Sequence, residues 1–396
     1  MKKTIPILGK NTFISLKTVF LLFLGFKIID FIIVLVTPHF IPYLGFFPYK
    51  EELIASHLPH LLSSLANFDG AHYIIIARDG YYNYNQAYFP LYPLLMRLIA
   101  PLFLQNYLLA GIIISNVAAF GGLYYFTRIL EYCLSDKRNV FFALILFLAF
   151  PTSFFLSAVY TEGLFFFLFT FSLYNVIHTK AFSLFISSFL AALTRLMGIF
   201  VSFQIFLVVL GDFKKSKKIE KKLIITIAAP ILGFMLYAWY LLKTTGDPLF
   251  FFHAQSAFGA HRSTSLIILP QVYYRYAKIF LQSDLSFQYF ISVIECIIFT
   301  FVFFILCYQL IQLIRKKKTE KFAFLLGLTL FSLSQIIVPS LTGTFSSIPR
   351  YALLSLSIFI SLGAVKNKYL QWILLLIFAL LHIALLGFFS QGYFVS

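Results

Sequence analysis

The sequence is poor in charged residues and in cysteine. Only 11% of its 396 residues are charged, with 14 Asp and Glu against 31 Lys and Arg, whereas 61% are hydrophobic. This composition excludes a water-soluble globular protein. The three cysteines lie in or beside apolar runs without the spacing of metal ligands, so neither a disulfide framework nor a metal site is expected.

Long apolar runs recur along the whole chain, which is typical of a polytopic helical membrane protein. A membrane β-barrel would instead show short segments of alternating polarity. The first run, residues 13–36, is too long for the core of a signal peptide and is interpreted as a retained helix. The basic residues cluster between runs, as in "FKKSKKIEKK" and "RKKKTEK". This pattern indicates cytoplasmic loops of a membrane protein and not a nucleic-acid-binding face.

Placing the basic clusters in the cytoplasm predicts an all-α protein with about eleven transmembrane helices and a cytoplasmic N-terminus. The chain, 1–396, is interpreted as a single integral membrane domain. Residues 88–104 contain three prolines and an arginine and are expected to lie at the outer interface without crossing. The predicted spans are 13–36, 106–130, 139–151, 157–178, 181–194, 196–212, 222–243, 287–314, 321–339, 350–365 and 369–389.

Two sizeable loops then face the extracytoplasmic side, at residues 37–105 and 244–286. Together they carry six of the eight histidines and many of the scarce acidic residues. The sequence therefore places any chemistry on the extracytoplasmic face, with residues 37–105 as the catalytic loop.

The stretch "FDGAHYIIIARDGYY", residues 68–82, is unusually rich in ionisable side chains for this chain. It predicts an amphipathic interfacial helix with Asp69 at the N-cap and Gly80 just past the C-terminus, with Asp69, His72 and Tyr73 on one face. A purely structural capping role for Asp69 is one interpretation. The other is a general base for a hydroxyl acceptor.

Further polar residues lie near predicted outer helix ends. Glu162 sits at the start of a very apolar helix, where an ionisable residue suggests function or a favourable helix-terminal charge. Arg195 and Arg350 lie on the wrong side to be topology signals, and they suit a phosphate or the outer lipid headgroups. Gln255, in the second outer loop, could meet a lipid-linked sugar. The outward histidines lack a zinc-ligand spacing.

Six sequence blocks follow one another along the chain: "FDGAHYIIIARDGY", "AYFPLYPLL", "FPTSFFLSAVYTEGLFFFL", "LTRLMGI", "GDPLFFFHAQ" and "IPRYALLSLSIFI". These blocks and their order resemble those of the PIG-V family, the second mannosyltransferase of GPI-anchor assembly, and its bacterial relatives within the GT-C glycosyltransferases. The resemblance spans about residues 65–365. Phe68 stands where eukaryotic members usually have Trp, and of the "RSNG" of many members Arg195 and Gly198 remain.

The resemblance implies an inverting transfer of a sugar, typically mannose, from a dolichyl or polyprenyl phosphate to an acceptor hydroxyl of a glycan or glycolipid. It implies Asp69 as the base and no nucleotide or other cofactor, with a divalent metal left open. His72, Tyr73, Glu162, Arg195, Gln255, Arg350 and Tyr351 are the predicted donor- and acceptor-binding residues. The composition suits a bacterial plasma membrane, whereas a eukaryotic member would lie in the endoplasmic reticulum.

A membrane transporter or lipid-linked sugar flippase is the main alternative. Transporters place charges near the bilayer midplane, often on broken helices in paired repeats. In this chain only Lys27, Asp30 and Glu295 are clearly expected within spans, and no repeat is evident. The distribution of polar residues therefore favours an enzyme.

Overall fold

The structure, a computed structural model, describes residues 14–44, 49–82, 84–216, 221–255, 262–263, 265–315 and 321–395. Within these ranges the chain is helical and contains no β-strand. Its α-helices are α1 Leu16–Val36, α2 Lys50–Ile54, α3 His60–Ser63, α4 Asp69–Asp79, α5 Leu91–Ile99, α6 Tyr107–Cys133, α7 Lys137–Leu148, α8 Thr161–Ile177, α9 Ala181–Ala192, α10 Val201–Ser216, α11 Lys221–Thr245, α12 Phe250–His253, α13 Leu269–Gln282, α14 Phe287–Arg315, α15 Phe322–Ser340, α16 Ile348–Leu353, α17 Ser357–Gly363 and α18 Lys368–Ser390.

Six helices of the described chain are long and apolar enough to cross a membrane. They are Leu16–His39, Tyr107–Cys133, Lys222–Thr245, Phe287–Arg315, Phe322–Ser340 and Lys368–Ser390. Each coincides with a predicted span, so the chain is a polytopic helical membrane protein. The other five predicted spans fall on α7 to α10 and on α16 with α17, which are shorter, and the count of eleven is not confirmed.

The predicted span 350–365 is broken between α16 and α17. At the break, the Ser355 hydroxyl donates to the Ser332 carbonyl of α15 at 3.0 Å, and the Ser357 hydroxyl lies 3.0 Å from that of Thr329. Both serines are fully buried. The Ser357 amide donates to the Ser332 hydroxyl at 3.3 Å, so a neighbouring helix satisfies a backbone group that the interruption frees. Hydropathy detects the apolar run but not this interruption.

Helix α4 differs from the amphipathic interfacial helix expected of residues 68–82. Phe68 is the N-cap residue and Asp69 the first helical residue, so the N-cap assignment of Asp69 was wrong by one position. Gly80 does end the helix at a positive φ of 96°, as predicted. All side chains from Gly70 to Ala77 are buried. Helix α5 packs over α4, and its own Leu98 is exposed.

The helical pairs bring several polar helix ends to one end of the molecule. Helix α6 packs along α8, α8 along α9, α9 along α11, and α14 and α10 along α15. Large phenylalanines fill the interior, for example Phe147 and Phe166, whose rings stack at 4.8 Å. As a result of this packing, the first turns of α4, α8 and α16 meet beside segments of both predicted outer loops.

Candidate active site

A cavity of about 840 Å³ lies where the two predicted outer loops meet the helix ends. Its lining includes every residue that the sequence singled out for the site, although these residues span almost 300 positions of the chain. They are Asp69, His72, Tyr73, Glu162, Arg195, Gln255, Arg350 and Tyr351. The structure thus brings the predicted residues together, while their individual roles stay predictions.

Asp69 reaches this cavity from the first turn of α4. Its Oδ2 accepts a hydrogen bond from Arg350 at 2.6 Å and its Oδ1 one from the Tyr88 hydroxyl at 3.1 Å. Burial opposes ionisation of Asp69, but Arg350, with further contributions from His72 and Tyr88, holds the pKa of the carboxyl below its usual value. About a quarter of the side chain, 26%, remains exposed. Asp69 is therefore an ionised carboxylate that a molecule in the cavity can reach.

Glu162 lies in the first turn of α8 and is the most deeply buried ionisable group of the site, with a side chain 1% exposed. Its Oε1 accepts a hydrogen bond from Arg195 and lies 3.4 Å from Nε of Arg350. Arg195 and Arg350 are themselves only 10% and 12% exposed. Both arginines predicted to meet a phosphate are thus already paired with carboxylates.

Arg262, from the second outer loop, is a third arginine of the cavity that the sequence reasoning missed. Its guanidinium donates to the Ser347 hydroxyl at 3.2 Å, and no described carboxylate lies within ion-pair distance of it. The guanidinium groups of Arg195 and Arg350 lie 5.1 and 5.7 Å from the centre of the Tyr351 ring, so this wall of the cavity is positively charged. The usable signal was that Arg262, too, breaks the positive-inside bias.

His72 and the tyrosines around it form another wall of the cavity. The His72 ring stacks on Tyr88 with centroids 5.0 Å apart and has Nδ1 3.1 Å from Oδ1 of Asn85. Burial lowers the pKa of His72, against the opposing effects of Asp69 and Asn85. The imidazole is thus neutral at pH 7 and offers one donor and one acceptor. Tyr73 packs edge-on against Tyr88 at 5.0 Å.

Two glycines of the sequence blocks lie in close contact with backbone beside the site. A Cβ added at Gly163 would lie 2.3 Å from the Leu156 carbonyl oxygen, and one at Gly198 would lie 2.4 Å from that of Ala191. These glycines are next to Glu162 and close to Arg195 in sequence. A side chain at either position would displace the turn before α8 or the end of α9, and with it the neighbouring charged residue.

Other polar residues of the outer loops lie in turns or exposed pairs. Asp247 accepts a hydrogen bond from the Leu249 amide at 2.9 Å just after α11, and also pairs with exposed His253. Asp79 pairs with Arg78 at 2.8 Å, and Arg78 also pairs with Glu52. Across the described chain no three His, Cys, Asp or Glu side chains group in a way that could hold a metal ion.

The charged groups of the described cavity lining do not cancel. Three guanidinium groups face two carboxylates, so one positive charge is in excess while His72 is neutral. A basic cavity that also contains an accessible carboxylate can bind an anionic group and accept a proton. The cavity therefore has groups that a membrane enzyme with an anionic substrate requires.

Comparison with known families agrees with this class. The chain matches the family described as mannosyltransferase (PIG-V) over residues 17–245, more than half of its length, and it belongs to that family. The resemblance seen in the sequence is thereby confirmed, and the chain is a membrane glycosyltransferase of a mannosyltransferase family. No curated protein and no solved structure gives a significant match.

Proposed function

We propose that the chain is an inverting, GT-C type mannosyltransferase acting on the extracytoplasmic face of its membrane. The donor is a polyprenyl or dolichyl phosphate mannose, and the acceptor is a hydroxyl of a glycan or glycolipid. The observation that carries the proposal is the accessible carboxylate of Asp69 in a cavity with one positive charge in excess.

In the proposed reaction, the acceptor oxygen attacks the anomeric carbon from the face opposite the phosphate. Its proton passes to Asp69, the bond between the anomeric carbon and the phosphate oxygen breaks, and the bonding electron pair stays with the phosphate. A single displacement of this kind inverts the anomeric centre. Asp69 can accept this proton because Arg350 and its other partners keep the carboxyl ionised before the reaction.

The charge of the cavity matches the substrates on both sides of this step. The donor is a phosphodiester with one negative charge, which the single excess positive charge balances. After transfer Asp69 is protonated, so the excess rises to two, and the leaving polyprenyl phosphate can carry two negative charges. The charge that develops on the phosphate is therefore balanced without bringing in a further ion.

Arg262 is the arginine best placed to bind the donor phosphate. Arg195 and Arg350 each contact a carboxylate, whereas Arg262 contacts only a serine hydroxyl among the described residues. An arginine presents several donors in a planar fork, which suits phosphate oxygens. Arg195 and Arg350 then contribute positive charge to the cavity without binding the phosphate directly, while His72 and Gln255 can bind sugar hydroxyls.

The test is transfer of radiolabelled mannose from polyprenyl phosphate mannose to lipid-linked glycans in membranes containing the protein. Asp69→Asn should lower the transfer rate by about 10²–10⁴-fold, the usual contribution of a general base. Asp79→Asn, which changes an exposed acid of the same helix, is the matched control and should transfer normally. Arg262→Gln should raise the donor KM.

If the Asp69→Asn variant transferred mannose at the wild-type rate, Asp69 would not be the base. A wild-type protein that moved the labelled lipid across a vesicle bilayer without forming a glycosyl product would overturn the enzyme and favour a transporter or flippase.

A further inference from the structure

Phe68, the residue before Asp69, has a backbone conformation that normally requires glycine. Its φ of 59° and ψ of −113° are those of the first central position of a type II′ turn, and the Gly70 amide accordingly approaches the Asn67 carbonyl at 3.4 Å. A bulky residue in such a conformation is strained and persists only where its surroundings impose it.

Contacts from Tyr160 and from the far end of the chain surround this turn. The buried Asn67 side chain donates to the Phe389 carbonyl of α18 at 2.7 Å, and the Asn67 carbonyl accepts from Tyr160 at 2.7 Å. The Phe68 ring packs edge-on against Phe394, with centroids 5.2 Å apart. The turn that presents Asp69 is thus enclosed by residues more than 300 positions later in the chain.

The segment after α18 is built to place Phe394 there. Gly392, with a φ of 84°, turns the chain back, and the Gln391 carbonyl accepts a hydrogen bond from the Leu44 amide at 2.9 Å. Val395 is buried in the core at 3% exposed, which anchors the segment beyond Phe394. Phe394 itself is 48% exposed and lines the cavity together with Phe68.

We propose that Phe394 is a positioning residue of the active site. By packing on Phe68 it keeps the strained turn in place, and the turn in turn fixes the direction in which Asp69 projects into the cavity. This inference rests on the proposed role of Asp69 as the base. It extends the functional part of the chain to residues 391–395, far outside the range 17–245 that matches the family.

The first experiment measures the contact without any activity assay. Apparent Tm values are compared for wild type, Phe394→Ala, Phe68→Gly and the double variant in detergent. Glycine adopts the turn without strain, so Phe394→Ala should lower the Tm clearly in wild type and much less in the Phe68→Gly background. Equal losses of Tm in both backgrounds would show that Phe394 does not stabilise the Phe68 turn, whether or not the protein is a mannosyltransferase.

The second experiment measures the consequence for transfer. Phe394→Ala should lower the transfer rate at saturating donor about tenfold with little change in donor KM, because it removes none of the charged groups proposed to bind the donor. Phe394→Tyr, which keeps the ring, should restore the rate. Phe40→Ala is the matched control, since Phe40 is an exposed phenylalanine outside the cavity lining.

A normal rate in folded Phe394→Ala would overturn the positioning role, and so would a failure of Phe394→Tyr to restore the rate. If wild type itself transfers no mannose, the proposed function fails, while the Tm comparison still decides whether Phe394 stabilises the Phe68 turn.

Discussion

Replacing Glu162 by glutamine is expected to destabilise the protein strongly although the two side chains have almost the same shape. Glu162 is 1% exposed and faces Arg195 and Arg350, whose side chains are 10% and 12% exposed. Removing one partner of a buried ion pair typically costs about 3–5 kcal/mol, because the remaining charge stays buried without compensation. For a chain of this length, the usual unfolding entropy per residue converts that loss into a fall of roughly 4–6 °C in Tm.

The assay is thermal unfolding of purified protein in a fixed detergent, with Glu52→Gln as the control. Glu52 also pairs with an arginine, Arg78, but there the two side chains are 22% and 41% exposed. An exposed pair contributes only about 0–1 kcal/mol, so the control should unfold close to the wild-type temperature. Adding Arg195→Gln to Glu162→Gln removes one uncompensated charge and should recover part of the loss.

The same change should strengthen the binding of phosphate. Without the Glu162 carboxylate, the excess positive charge of the cavity rises from one to two, so polyprenyl phosphate should inhibit transfer at a lower concentration than in wild type. If Glu162→Gln unfolded within a degree of wild type and its inhibition constant were unchanged, the ion pairs would not determine either property and the charge argument would be refuted.

Two further predictions concern the Arg350–Asp69 pair of the site and the Asp30–His382 pair. Arg350→Gln removes the main group that holds the pKa of Asp69 down, so the pKa should rise and the acidic limb of the transfer rate should move to higher pH; an unshifted limb would contradict this. The buried pair of Asp30 and His382, 2.8 Å apart, joins α1 to α18. Asp30→Asn and His382→Ala should each lower the Tm, and the double variant should lose less than the sum; strict additivity would show that the pair is not coupled.

The sequence was sufficient to predict eight of the residues that line the cavity, but it missed Arg262 and did not show how the charged residues pair. An ionisable side chain at the end of an apolar helix is costly unless it has a function, so Glu162, Arg195 and Arg350 were recognisable individually. Their pairing depends on tertiary packing, since 281 positions separate Asp69 from Arg350. No local pattern reports such a contact, which is why these arginines were assigned to a phosphate and not to acids.

The errors in the fold have a similar origin. Hydropathy measures the length of an apolar run, and the run at 350–365 does not reveal that buried serines interrupt its helix. The burial of α4 depends on the helices that cover it, and Ile74 to Ile76 were the only local indication that no face would be solvated. Phe394 lies outside every sequence block, so its contact with Phe68 had no sequence signal at all.

The charges of the site are divided unequally along the chain. The part up to residue 245 contributes Asp69, Glu162 and Arg195, which leaves an excess of one negative charge, while Arg262 and Arg350 come from the part that is synthesised later. Until α16 has docked, Asp69 lacks its guanidinium partner and Glu162 has only one of its two. A protein that has not finished assembling therefore has no complete site for glycosyl transfer.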